Sequence, residues 1–197
     1  MEKEKRADLA AVLTPEELLE YDLRASPSAA TVRRQLTYFE PTEEEYRAIT
    51  KLQLEIDQRY GTSNLSGEEQ DWRRAALESL PGKIQTILTP ERFADYQITT
   101  DGNFRSTAGV LRSAGVDLNV VKEVVGVRQS FAEHIDKVRN QADLTPAQRA
   151  DALAALANEA TSQLTAKLGE KTFTRYENRA GAWLTHLRPP SERGTNP

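Results

Sequence analysis

Four helix-start signals are spread along the chain, and they favour a fold built from helices. Each signal places a Thr or Ser three residues before a Glu or Gln. In this pattern the hydroxyl accepts a hydrogen bond from the first helical turn, and the longer side chain accepts one from the cap residue. The signals begin at Thr14, Thr42, Ser66 and Thr145. We therefore expect a helix to follow each of them.

Apolar residues follow these signals at steps of three and four, which place side chains on one face of a helix. The long predicted stripes comprise Ile49, Leu52, Ile56 and Tyr60; Trp72, Ala76, Leu80, Ile84 and Ile87; Val120, Val124, Val127, Phe131, Ile135 and Val138; and Leu153, Leu156, Ala160, Leu164 and Leu168. The β-branched run 120–127 also suits a strand, but its spacing favours a helix. Shorter helices are expected after Ser26 and Asp101, with a kink or a restart at Pro81-Gly82. The predicted class is all-α.

A ten-residue motif occurs three times. LTPERFADYQ, residues 88–97, has a near copy in LTPEELLEYD, residues 13–22, and a more divergent copy in LGEKTFTRYE, residues 168–177. A shift of 75 residues (88 − 13) aligns the first two copies together with the caps and stripes that follow them, and a shift of 80 (168 − 88) aligns the last two. Duplicated helical units usually bury a shared core. We predict a duplicated unit of short helices plus a long antiparallel helical hairpin, packed as a helical bundle.

The repeat suggests how the chain is organised. Residues 1–87 are predicted to form the first helical repeat unit, and residues 88–187 the second unit with a closing Tyr-bearing helix. Residues 188–197 begin with Arg-Pro-Pro, which stops a helix, and continue with small and polar residues. We therefore expect a disordered tail there.

The ninth place of each motif copy holds a tyrosine: Tyr21, Tyr96 and Tyr176. The favoured interpretation is a structural joint, in which Phe93 and Tyr96 fill the corner where the units meet. The alternative is a recognition surface. Arg24 and Arg179 each follow a motif tyrosine by three residues, so an arginine over the ring, or bonded to a nearby carboxylate, could build such a site.

Composition and charge narrow the classes of partner. The formal charge is −4, from 26 Lys and Arg against 30 Asp and Glu, so no nucleic-acid partner is expected. No segment reaches the length of apolar sequence that a membrane span needs. The chain has no cysteine, which excludes disulfides and thiolate chemistry. The sequence does not determine the cellular compartment. It would be the envelope or periplasm if an export signal has been removed upstream, and otherwise the cytoplasm.

The few residues that suggest catalysis or metal binding have structural interpretations. His134 follows Ser130 by one helical turn, but a regular helix offers neither an exposed nucleophile nor an oxyanion hole. We therefore expect His134 to be a half-buried structural residue. His186 lacks further ligands at metal-binding spacing. The acidic runs 16–17 and 43–45 lie in first helical turns, where they complement the helix dipole. We predict no enzyme and no catalytic, cofactor-binding or metal-binding residue.

One segment resembles a known family. Leu144-Thr145-Pro146-Ala147-Gln148-Arg149 is similar to the LTxxQ box of the Spy-type periplasmic chaperones and stress sensors. The resemblance implies a small all-helical protein, often a cradle-shaped dimer, that binds unfolded or envelope proteins without ATP. The arrangement also resembles uncharacterised helical envelope proteins of verrucomicrobia-like bacteria. In the motif at residues 88–96, Arg92 stands where the family has Gln.

The sequence therefore favours a non-enzymatic helical protein that binds another protein or itself, the latter as a homodimer. The long apolar stripes favour this interpretation, because a helical hairpin can leave part of an apolar face for a partner. The alternative is a Spy-like ATP-independent chaperone or stress-sensing subunit of the bacterial envelope. An enzyme is the third hypothesis.

Overall fold

The computed structural model describes residues 2–188, with side chains from Lys5 onward. These residues form eleven helices and no strand, so the all-α class is confirmed. The helices are α1 (Glu2–Ala10), α2 (Pro15–Ala25), α3 (Pro27–Gln35), α4 (Glu43–Tyr60), α5 (Gly67–Gln85), α6 (Pro90–Thr100), α7 (Gly102–Arg112), α8 (Leu118–Asn140), α9 (Pro146–Leu168), α10 (Glu170–Arg179) and α11 (Ala182–Leu187).

All four predicted caps are present. Thr14, Thr42, Ser66 and Thr145 precede α2, α4, α5 and α9. Each hydroxyl accepts from the backbone N–H three residues on, at 3.2–3.3 Å. The Glu or Gln at that position accepts from the cap residue's own N–H at 2.8–3.0 Å. Two donors of each first turn are thereby satisfied, which explains why these helices begin where they do.

Helix α5 continues through Pro81, so of the two outcomes expected there, a kink or a restart, the restart does not occur. A proline inside a helix leaves the carbonyl four residues earlier without its N–H donor. Pro81 and Gly82 are both exposed. Because that side of α5 faces solvent, water can satisfy the carbonyl and the helix need not end.

The chain divides into two compact units, residues 1–100 (unit 1) and 101–197 (unit 2). The helix α6, predicted as the start of the second repeat, belongs to unit 1. It packs against α5, and its residues Phe93 and Tyr96 contact the core of that unit. The repeat boundary at residue 88 therefore differs from the boundary between the compact units.

Unit 1 is built on the hairpin of α4 and α5, with α3 packed against α4. Its core consists of Val32, Leu36, Phe39, Ile49, Ile56, Leu80, Ile84 and Leu88. The predicted α5 stripe is correct in the middle but wrong at both ends. Trp72 and Ile87 are 51% and 40% exposed.

Unit 2 is built on the longer hairpin of α8 and α9. The helices α7, α10 and α11 pack against that hairpin or against one another. Its largest buried side chains are Phe104, Leu111, Phe131, Ile135, Leu164, Phe173, Tyr176, Leu184 and Leu187. The β-branched run 120–127 lies within α8, so the helical interpretation is confirmed. Of the predicted tail, Arg188 bonds to Glu177 and Thr161, each at 3.0 Å. Residues 189–197 lie outside the described part of the chain.

Helix starts recur at the two shifts found in the sequence. A shift of 75 carries the first residues of α2, α3 and α4 onto those of α6, α7 and α8. A shift of 80 carries the first residues of α6 and α7 onto those of α10 and α11. The order short, short, long, long thus appears twice, and two short helices follow.

Candidate functional site

Leu88 and Thr89 of the central motif LTPERFADYQ precede α6, and the rest of the motif forms the first two turns of that helix. Arg92 attaches α6 to α4. Its Nε and Nη2 donate to the two carboxylate oxygens of Glu45 at 2.8 and 2.7 Å. Nη2 also donates to the carbonyl of Glu40 at 3.2 Å, and the guanidinium lies 4.1 Å from the ring centroid of Phe39. These hydrogen bonds from Arg92 lower the pKa of Glu45, although burial acts in the opposite direction. Arg92 therefore links α6 to α4 and to residues 39–40 within unit 1.

Two aromatic rings of the motif pack on the same core. Tyr96 meets Phe39 edge to face at a centroid distance of 5.6 Å, and Phe93 stacks with Tyr96 at 6.1 Å. Both Phe93 and Tyr96 are half-buried, less completely than a joint residue was expected to be. Burial raises the pKa of Tyr96. Within unit 1, then, the motif is a packing element.

The other two motif tyrosines differ in their surroundings. Tyr176 is fully buried, and its hydroxyl accepts from Trp183 Nε1 at 3.0 Å. Burial raises the pKa of Tyr176, while the bond from Trp183 acts in the opposite direction. Tyr21 is half-buried, and the cation over its ring is Lys5, at 5.5 Å. Arg24, which the recognition-surface alternative placed over that ring or against a nearby carboxylate, pairs with Glu20 at 3.6 Å.

The catalytic arrangement suggested by His134 is not formed. His134 is exposed, so the expectation of a half-buried histidine was wrong. It lies next to the buried stripe of α8 rather than on it. Its Nδ1 is 2.9 Å from the carbonyl of Ser130, while the Ser130 hydroxyl donates to the carbonyl of Val127 at 2.8 Å. His186 is also exposed. Within residues 2–188, no three His, Cys, Asp or Glu side chains are grouped to hold a metal.

A polar network fixes the corner between α4 and α5. Asp57 accepts from Ser28 Oγ at 2.7 Å, Gln53 Nε2 at 3.1 Å and Arg73 Nη2 at 2.6 Å. Arg73 Nε also donates to the carbonyl of Gly61 at 2.9 Å. Because Asp57 is largely buried and bonded on both oxygens, the end of the hairpin has a defined conformation.

Beside this corner lies a surface that the sequence analysis did not identify, with an exposed Trp72 ring and a half-buried Tyr60 ring. The residues that line it, here called the tip surface, are Arg59 and Tyr60 at the end of α4, and Glu69 and Trp72 near the start of α5. They border a concavity of about 410 Å³. Trp72 is 51% exposed, and the Arg59 guanidinium lies 5.3 Å from the Tyr60 ring centroid.

A second concavity of about 380 Å³ also involves α5. Its lining residues are Leu65, Gln70, Arg73, Arg74, Leu77 and Glu78. The two concavities place apolar side chains among charged ones around the first turns of α5. Buried aromatic and arginine side chains often dominate the energy of a protein interface, and a polar rim commonly surrounds them. The chemistry of this surface therefore suits contact with another protein.

The tip surface was missed because Trp72 fits the helical spacing of the core stripe. That spacing shows which residues share a face, but it does not show how far the neighbouring helix covers the face. Trp72 lies on the second turn of α5, and only Arg59 and Tyr60 of the last turn of α4 border its concavity. The charged neighbours Asp71 and Arg73-Arg74 are the local signal for an exposed position.

Comparison of the chain with protein-family models, curated proteins and solved structures gave no significant match. Among the helices described, none combines the length and hydropathy of a membrane span.

Proposed function

We propose that this protein is a non-enzymatic helical scaffold that binds another protein through the tip surface of unit 1. The observation that carries the proposal is the exposure of Trp72, 51%, beside a second aromatic ring and two charged groups. Transfer of an indole ring from water into an interface is favourable, and Trp is enriched among the residues that dominate binding energy.

A comparison within the chain supports a role other than folding for the Trp72 ring. We interpret the recurring helix starts as an internal duplication. Matching the helix starts, α4 to α8 by 75 residues and α5 to α9 by 79, gives Tyr60 and Trp72 the counterparts Ile135 and Asp151 in unit 2. Ile135 is buried, and Asp151 carries no ring. A hairpin of this type therefore forms without an exposed tryptophan at this place.

The network around Asp57 also favours binding. Its bonds to Ser28, Gln53 and Arg73 hold the end of the hairpin in one conformation before any partner arrives. A surface that is already ordered loses less conformational entropy on association than a mobile one. The tip surface should consequently bind without rearrangement of the α4–α5 corner.

Selection from a random peptide display library tests the proposal without knowledge of the natural partner. Peptides selected on the wild-type protein should bind a Trp72→Ala variant at least about tenfold more weakly, because the central ring is lost. The matched control is Ile87→Ala, which removes another exposed apolar side chain from the same unit and should leave affinity unchanged. Thermal melts check that both variants are folded. Selected peptides that bind Trp72→Ala as tightly as wild type would contradict the proposal.

The Spy-like chaperone is the alternative, and the resemblance at residues 144–149 is what favours it. In the structure, Thr145 and Gln148 of that segment form the capping box of α9. An aggregation assay with a chemically denatured client separates the two hypotheses. Suppression of aggregation at an equimolar ratio would favour the chaperone, whereas folded-partner binding without suppression would favour the scaffold.

A further inference from the structure

We propose that Asp22 on α2 is a binding site for an arginine side chain. The chain's own Arg6 occupies the site in this structure, and an arginine of a partner protein takes it when α1 moves away. The site lies on a different helix from those that line the tip surface and does not depend on the function proposed there. Asp22 is only 3% exposed. Its Oδ2 accepts from Arg6 Nε at 3.0 Å and lies 2.9 Å from Nη2.

The geometry selects a guanidinium as the ligand. A guanidinium presents its N–H groups in a planar fork, so two of its nitrogens can face one carboxylate at once, whereas the ammonium of lysine is a single point of charge. The carboxylate stays in position without α1, because α2 packs against α3 and α4. A buried carboxylate that has lost its cation is unfavourable. Departure of Arg6 therefore leaves a place that favours another guanidinium.

Helix α1 is attached loosely enough to leave. Of its residues 5–10, Arg6 and Leu9 are half-buried and the others are exposed. Lys5 lies over the Tyr21 ring at 5.5 Å, and Val12, in the link to α2, is 77% exposed. A segment with few buried side chains opens at a lower free-energy cost than a core helix. We therefore expect α1 to detach as a strap while α2, α3 and α4 remain folded.

A second carboxylate at the equivalent place also holds an arginine. Asp22 is the tenth residue of the first motif copy, and the tenth residue of the third copy is Glu177. Glu177 accepts from Arg188 Nη1 at 3.0 Å. The central copy has the uncharged and exposed Gln97 there. Arg6 precedes its motif copy whereas Arg188 follows the third one, so the recurring feature is the acidic tenth place rather than the segment that supplies the arginine.

Hydrogen exchange of the full chain tests whether α1 is a strap. In Arg6→Ala, the amides of residues 2–10 should exchange at least about tenfold faster than in wild type, because a charged hydrogen bond is lost, while those of α2, α3 and α4 stay unchanged. Arg24→Ala is the matched control. It removes an exposed arginine that pairs with Glu20 at 3.6 Å, and it should leave α1 unchanged. Unchanged exchange of α1 in Arg6→Ala, or equal loss of protection in α1 and α2, would overturn the proposal.

An NMR titration tests the ligand, with acetyl-arginine amide as the probe. The probe should shift amide resonances of α2 around Asp22 in Arg6→Ala, with a dissociation constant in the millimolar range. Binding to wild type should be at least about tenfold weaker, since Arg6 competes for the carboxylate. Adding Asp22→Asn to Arg6→Ala should abolish the shifts. In wild type, a saturating concentration of the probe should speed the exchange of residues 2–10.

Three results of the titration would overturn the proposal. One is the absence of binding to Arg6→Ala. Another is equal binding of acetyl-lysine amide, which would show attraction between charges without recognition of the guanidinium. The third is exchange of α1 in wild type that does not respond to the probe. If Arg6→Ala does not fold, Arg6→Lys replaces it, because it keeps a positive charge near Asp22 but lacks the planar fork. The probe should bind Arg6→Lys more tightly than wild type, and equal binding would contradict the proposal.

Discussion

Arg92 and Glu45, 47 residues apart in the chain, form a two-bond ion pair that joins α6 to α4. The Glu45 carboxylate also accepts from the backbone N–H of Thr42 at 2.9 Å, so one side chain caps α4 and binds α6. At the corresponding places in unit 2, the shifts of 80 and 75 lead to Thr172 and Val120. The two positions therefore carry an ion pair in unit 1 and two uncharged side chains in unit 2.

We predict that Arg92→Ala lowers the free energy of unfolding by about 1–2 kcal/mol, because Glu45 loses its partner while the pair is partly screened by water. The side chains of Arg92 and Glu45 are 32% and 15% exposed. A double-mutant cycle with Glu45→Gln, which keeps the cap, isolates the pair by urea unfolding. A coupling energy indistinguishable from zero would show that the two bonds do not stabilise unit 1.

The same pair predicts a pH dependence. The hydrogen bonds from Arg92 lower the pKa of Glu45 in the folded protein. A carboxyl group of this kind stabilises the fold above its unfolded pKa, about 4.3, and the stabilisation is lost as the pH falls through the lowered value. The difference in stability between wild type and Arg92→Ala should therefore be largest near neutral pH and shrink below about pH 4. Thermal melts at a series of pH values measure it, and a constant difference would contradict the assignment.

The helix starts could be predicted from the sequence because a cap is a local interaction. For Thr42 and Thr145, the residue three positions later is enough to identify a helix cap. Arg92 could not be interpreted in this way. It occupies the position where the other signals carry Glu or Gln, but its carboxylate partner lies on a different helix. Its role depends on how α6 packs, which the local sequence does not encode.

The candidate site was harder to predict for a related reason. Helical spacing placed Trp72 and Ile84 in the same stripe of α5, but only Ile84 is buried. The difference comes from the neighbouring helix, since α4 ends beside Trp72. Periodicity likewise showed that Phe93 and Tyr96 share a face of α6. It did not show that they pack on the core of unit 1, which precedes them in the chain.

A comparison of two phenylalanines tests how firmly the short helices are held. Phe93 and Phe173 occupy equivalent places of the motif, but Phe173 is only 7% exposed whereas Phe93 is half-buried. Phe173→Ala should cost about 3–5 kcal/mol, and Phe93→Ala about 2–3 kcal/mol, because part of the Phe93 ring is already in water. Chemical unfolding followed by Trp72 reports unit 1, and Trp183 reports unit 2. A negligible cost for Phe93→Ala would mean that the ring does not hold α6 in place.

A single buried hydroxyl offers the last prediction. Thr50 on α4 is fully buried, and its Oγ1 has no hydrogen-bond partner among the residues described. Its counterpart in unit 2, at a shift of 75, is the buried Val125. Since valine has nearly the same shape and no group to desolvate, Thr50→Val should raise the free energy of unfolding by about 1 kcal/mol.

Thr99 is the matched control, because it is equally buried in unit 1 but its hydroxyl donates to the carbonyl of Asp95 at 2.7 Å. The same substitution, Thr99→Val, removes a hydrogen bond that is made and should lower stability by about 0.5–1 kcal/mol. Urea unfolding of the two variants should therefore give changes of opposite sign. Destabilisation of both by the same amount would mean that the Thr50 hydroxyl does find a partner, and its isolation within α4 would have to be rejected.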